Sequence, residues 1–217
     1  MRPPVPNIML SRRAKAALWT AGILIVLIIA LVQTTGVYIN YLWFSSLHFR
    51  GVYTTIFWTR LTLFLIFGIV MALIIGSNLV VAYLLRPPCR PMSAEQQNLE
   101  PYRVLLEPRR WLILVGVCVI ALLSAGLSAQ GNWATWQLFL HGGSFGATDP
   151  QFHRDISFYA WDYPAYRLLL GFGFSAILFS LVLSAGVHYL LGAIRLQTPG
   201  PKITFSARRH LTVLVFV

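Results

Sequence analysis

Leu61 to Leu85 are 25 consecutive residues without a charge, bounded by Arg60 and Arg86. At about 1.5 Å per helical residue, such a run crosses a hydrocarbon core of about 30 Å with some tilt. Three further runs have the same character, at about 16–32, 111–129 and 168–194, and a fifth begins at 211. With 57% hydrophobic residues, 11% charged residues and a mean hydropathy of +0.69, the chain holds more apolar sequence than one water-soluble core can use. The expected fold is all-α: a polytopic transmembrane helix bundle of four full spans plus the start of a fifth, forming one domain over 1–217. The first apolar run follows the basic flank Ser11-Arg12-Arg13-Ala14-Lys15. Its length and the absence of a small-residue cleavage site favour an uncleaved anchor over a signal peptide.

Positive charge orients the spans. The segments 1–15, 86–110 and 195–210 carry four, five and four Lys or Arg, against only Arg50, Arg60, Arg154 and Arg167 on the other side. Thirteen against four predicts a cytoplasmic N-terminus, cytoplasmic loops at 86–110 and 195–210, and outer segments at 33–60 and 130–167. All three Glu fall inside and all three Asp outside. The net charge of +11 is thereby assigned to topology and to anionic lipid headgroups at the inner face, with no nucleic acid implied. Thr34 to Thr59 reads as a helix continuing into the interface, and five of the seven Trp and six of the nine Tyr lie in the outer segments, which are expected to lie flat on the bilayer or over the tops of the spans as interfacial helices. Cys89, in a polar loop, and Cys118, in an apolar run, match no disulfide or zinc pattern.

The outer stretch from Trp136 to Arg167 holds all three Asp, two of the five His, a Gly142-Gly143 pair and two Pro-initiated turns. Trp133 to Leu140 reads as a short amphipathic helix, closed by a left-handed cap at Gly142-Gly143. Asp149-Pro150 reads as an N-cap followed by the first helical position, and Tyr163-Pro164 as a second helix start. Residues 152–161 fit both periodicities, helix being the expectation. His141, Asp149, His153 and Asp155 have metal-ligand chemistry, but without a tight two-His motif they read as cap, ion pair and interfacial residues, so neither a metal nor any other cofactor is expected. His188, alone among ionisable residues in its span, reads as an interhelical hydrogen-bonder. Ser124 with Ser128 and Gly171 with Ser175 suit close helix packing. Arg60 and Arg167 sit beside hydrocarbon at the outer edge, where a cation should find an acid. The expected pairs are Arg60 with Asp155 and Arg167 with Asp162, which would pin the stretch across the bundle as a fixed cap.

The pattern W-x-x-W-Q-L-F-L-H-G-G-x-F-G-x-T-D-P-Q-F-x-R-D-I-x-F-Y, which includes Trp136, His141, Gly142, Gly143, Asp149, Pro150, Arg154 and Asp155, resembles uncharacterised protein family 0182, large bacterial multi-pass membrane proteins. W-F-S-S-L at 43–47, F-W-T-R at 57–60, P-x-Y-R at 164–167 and I-R-L at 194–196 agree with it. The resemblance implies the N-terminal membrane part of a longer plasma-membrane protein, with more spans and an extracytoplasmic region to follow. It carries no catalytic residues over, and it implies a small residue where His153 stands. Three function classes remain. A non-catalytic module that anchors or assembles an extracytoplasmic domain or envelope complex accounts for the bland spans. A transporter or channel calls for ionisable residues or broken helices within them, where only His188 and Asn78 qualify. A lipid-linked envelope enzyme calls for an acid in the first outer segment, and 33–59 contains none.

Overall fold

The computed structural model describes residues 11–87, 94–196 and 202–216. They fall into two compact units, divided between Phe57 and Trp58. In the first unit the Ser11 hydroxyl accepts the Ala14 N–H at 3.2 Å and starts α1 (Arg12–Ser46). Its 35 residues correspond to roughly 50 Å of helix, longer than the hydrocarbon core. Residues 33–46 continue the helix, in keeping with the helical reading of the stretch from Thr34. The helix is stopped by backbone geometry. His48 adopts φ 62, and the Phe49 N–H reaches back to the Phe44 carbonyl at 2.9 Å, a Schellman closure that satisfies carbonyls a helix end leaves open. After this turn α2 (Arg50–Leu84) begins, and the Tyr53 hydroxyl donates to the Val37 carbonyl at 2.8 Å.

The second unit holds the rest of α2, then α3 (Ala94–Leu106), α4 (Arg110–Gly131), α5 (Trp133–His141), α6 (Tyr163–Leu190) and α7 (Phe205–Phe216). Its core is Met71, Ile75, Ala121, Ala125 and Ala176, from α2, α4 and α6. Small residues dominate because lipid supplies no hydrophobic force between helices, and close backbone approach must hold them together. A Cβ on Gly68 would stand 2.7 Å from the Leu122 carbonyl oxygen, and one on Gly126 would meet the Phe64 ring at 2.6 Å. Most apolar side chains outside this seam are exposed, as they are on helices meant to face lipid. Four helical stretches, Arg12–Ser46, Arg50–Leu84, Leu99–Gly131 and Phe158–Leu190, are long and apolar enough to cross a membrane.

Several boundaries differ from expectation. Within 86–110, read as a hydrated loop, Ala94–Leu106 is helical and runs through a 3₁₀ turn at Glu107–Arg109 into α4. Span four ends at Leu190 because Gly192, at φ 79, closes the helix with an Ala193 N–H to His188 carbonyl bond of 2.8 Å. Ile194 and Ile203 then pair as an antiparallel bridge, and α7 starts at Phe205, six residues before the expected 211. Cys89 and the turn Thr198-Pro199-Gly200-Pro201 lie outside the described residues.

Candidate functional site

The outer stretch folds into a cap whose centre is Asp155. Its carboxylate accepts the Ser144 hydroxyl, the N–H of Phe145 at 3.1 Å, the N–H of Gly146 at 3.0 Å and the N–H of Ser157 at 2.8 Å. The Ser144 hydroxyl first, then the Ser157 and Phe145 donors, hold the Asp155 carboxyl well below the usual carboxylate range. Asp155 is thus the residue that opens the helical run at Ile156, the role expected of Asp149. Asp149 instead closes a one-turn loop: its carboxylate accepts the Phe152 N–H at 2.8 Å, and Thr148 pairs with Asp155 across the loop. His153 takes φ 52 in that loop, the position where the resemblance implied a small residue. From 156 the chain is helical, passing through a π turn at Phe158–Asp162. Pro164 follows that turn and cannot donate a helical bond, while the Tyr163 N–H reaches the Phe158 carbonyl.

The cap is tied to the bundle through α5, which forms as expected. Gln137 bonds the Thr59 hydroxyl, Trp136 packs on Phe67 at 5.4 Å between ring centroids, and Phe139 on Tyr166 at 5.7 Å. The Trp161 indole donates to the Gly143 carbonyl at 3.3 Å. Gly142 is extended, with φ −64 and ψ 138, so the expected left-handed cap is absent. Glycine is required there for space, since a Cβ would stand 2.5 Å from Trp161. His141 turns its Nδ1 to the Gln137 carbonyl at 3.2 Å, and Arg154 lies 4.9 Å over the Phe158 ring.

The two expected ion pairs are not formed. The Arg60 guanidinium lies 5.5 Å over the Trp133 ring, while the Asp155 carboxylate is occupied by its own loop. Asp162 and Arg167 stand five positions apart on one continuous helical run, outside the three-and-four spacing that brings side chains together. The cap is fixed, but by backbone donors and aromatic rings.

At the opposite end of the bundle lies a polar group missed as a unit from sequence. His188 and His210 are buried, with His188 Nε2 3.1 Å from His210 Nδ1, and His210 Nε2 3.2 Å from Asn78 Oδ1. Asn78 donates its Nδ2 to the Ile74 carbonyl at 2.8 Å, which leaves Oδ1 to accept from His210. With one proton on each ring, His188 Nε2–H then donates to His210, and His188 Nδ1 keeps a lone pair. That nitrogen and the hydroxyls of Ser184 and Ser180, about one and two turns away on the same face, are buried without partners among the described residues. His188 is thus the interhelical hydrogen-bonder expected, joining α6 to α7 and, through His210, to α2. Nearby, the buried Arg103, expected in a solvated loop, donates to the Leu190 carbonyl at the end of α6 and pairs with Glu100 at 3.4 Å. Among the described residues no three His, Cys, Asp or Glu side chains converge as a metal site.

A family model described as uncharacterised protein family UPF0182 matches residues 17–217. The chain belongs to this family. It is 50% identical over 194 residues to a UPF0182 protein of Frankia casuarinae, covering 89% of this chain and 19% of that protein. To a UPF0182 protein of Streptomyces coelicolor it is 45% identical over 207 residues, covering 95% and 21%. One from Salinispora tropica is 43% identical over 220 residues, covering 100% and 22%. The chain spans about a fifth of the length of these UPF0182 relatives. No solved structure matches it.

Proposed function

We propose that the chain is a non-catalytic integral membrane module of the bacterial plasma membrane, N-terminus cytoplasmic, that anchors and assembles a larger extracytoplasmic domain or envelope complex. The observation that carries this reading is the cap. Residues 142–157 are held by internal hydrogen bonds centred on Asp155 and keyed to the bundle through α5, giving a preformed platform on one end of the spans. Its acids are engaged in loop closure, with Asp149 and Asp155 both accepting backbone N–H groups, so they are poorly placed to serve as a general base. The length of the relatives supports it: about four fifths of such proteins lies outside the matched region, room for a larger domain to be anchored. The partners are then the remainder of the same protein, other membrane proteins, and anionic headgroups at the basic face. The test is a full-length product carrying Asp155→Asn. Loss of protease resistance in the remainder, with the spans still inserted, supports the module; an unaffected remainder rejects it.

One feature favours a second reading, part of a transporter. Ser180, Ser184 and His188 form a buried polar line inside a span, unusual for a passive anchor. Ion or proton flux in proteoliposomes that is abolished by His188→Leu would decide for it.

A further inference from the structure

Between α4, α5 and α6, below the cap, runs a cavity of about 700 Å³. Ser124, Ser128, Gly171 and Ser175, expected to pack helix against helix, line it instead. Along α6 it extends from Pro164 to Phe179, roughly 22 Å of helix, of which roughly 18 Å runs from Arg167 inward, enough for the ~15 Å of one leaflet's hydrocarbon. Deep in the cavity the walls are effectively apolar. Phe67, Met71 and Phe172 are joined there by Ser124 and Ser175, whose hydroxyls are turned back to the carbonyls of Ala121 at 3.1 Å and Gly171 at 2.8 Å. The mouth has the opposite character. Arg167 is exposed and carries no ion pair or hydrogen bond among the described residues, Thr135 is a further lining residue, and no acid lines the cavity.

We propose that this cavity binds one phospholipid with an anionic headgroup, drawn from the leaflet at the cap end, its acyl chain between α4 and α6 and its phosphate on Arg167. An unpaired guanidinium at the depth of the headgroups is complementary to phosphate, which it can engage with two parallel N–H donors, and the Thr135 hydroxyl can add a third. The volume falls in the range of small-molecule sites. A transmembrane helix is the poorer occupant. It needs a contact face across both leaflets, whereas the lining along α6 stops at Phe179, well short of the helix end at Leu190.

The protein purified in mild detergent from its own membranes is titrated with phosphatidylglycerol or phosphatidylcholine and examined by native mass spectrometry. The expected result is one phosphatidylglycerol retained at least tenfold better than phosphatidylcholine, which has the same phosphate but adds a trimethylammonium that Arg167 repels and no acid in the cavity can receive. Arg167→Gln removes this preference, and Arg167→Lys restores part of it. Gly171→Leu, at a site where an added Cβ meets nothing within 4 Å, lowers retention of both lipids while the melting temperature holds. Equal retention of the two lipids, or a preference that survives Arg167→Gln, overturns the proposal. So does a cross-link from a cysteine at position 175 to a later segment of the chain, because the cavity is then filled by protein.

Discussion

His153 holds φ 52 in the loop between Asp149 and Asp155, a conformation that costs a residue with a Cβ about 1 kcal/mol and glycine almost nothing. Replacing it with Gly relieves that strain, although the looser unfolded chain offsets part of the gain. His153→Gly is expected to raise the melting temperature in detergent by a degree or more, and a fall would mean that the imidazole itself holds the loop. Asp155 acts in the opposite sense. Its four donors all favour the ionised form, so the native carboxyl releases its proton more readily than the unfolded one. The stabilisation is therefore complete above the unfolded value of about 3.9 and is lost as pH falls through the lower native one. Protection of the Phe145 and Gly146 amides from hydrogen exchange should be flat from pH 8 to 5 and decline only in stronger acid. Asp155→Asn, which can keep a carbonyl oxygen on Phe145 and Ser157 but then turns its NH₂ on the Gly146 N–H, should lower the protection at every pH, most at Gly146, and open the bond after Arg154 to trypsin.

At the scale of the helix, packing rests on backbone approach, and the glycines sort by what stands over them. Gly68 faces the Leu122 carbonyl, which cannot move aside, whereas a Cβ on Gly171 meets open space. Gly68→Ala should destabilise by about 1–3 kcal/mol through overpacking, and Gly171→Ala should be neutral or stabilising by up to ~1 kcal/mol through helix propensity. Thermal unfolding of the two variants in one detergent checks the contrast, and equal effects would refute the packing scheme. The existence of these helices was legible in sequence, since uncharged runs of 17 or more residues leave the backbone in lipid few alternatives. Their ends were not, because His48 and Gly192 stop helices by backbone conformation, a choice made by the bonds each turn can close. The cap was half legible for a related reason. Asp149-Pro150 and Asp155-Ile156-Ser157 carry equal capping chemistry, and what decides between them is a contact with Ser144, Phe145 and Gly146 about ten residues away. Arg103, buried against the end of α6 from a stretch that reads as solvated, gave no local signal at all.

For the whole molecule, the two ends of the second unit differ in kind. One carries the Asp155 cap and its aromatic ladder; the other carries Arg103, the His188–His210–Asn78 chain and stacked cations such as Arg86, which lies 4.4 Å over Tyr83 and pairs with Glu107 at 3.7 Å. The sequence concentrates its charge as well, with 13 of 17 Lys and Arg in segments 1–15, 86–110 and 195–210. Moving that many cations across a bilayer during insertion is the less favourable course, so the cap end should face outward. Cysteines report this directly. Cys118 is half-buried, its sulfur 3.7 Å from the Ala72 carbonyl, in a helix apolar enough to cross a membrane, and Cys89 falls in the basic segment 86–110. A membrane-impermeant maleimide added to intact cells should label neither. Gly143 offers the complementary probe, since it is exposed in the cap and an added Cβ there meets nothing within 4 Å. Gly143→Cys should therefore be labelled from outside without disturbing the fold, and permeabilising the cells should add Cys89 while Cys118 stays silent. Labelling of Cys89 in intact cells, with Gly143→Cys reached only after permeabilisation, would invert the topology and place the platform in the cytoplasm.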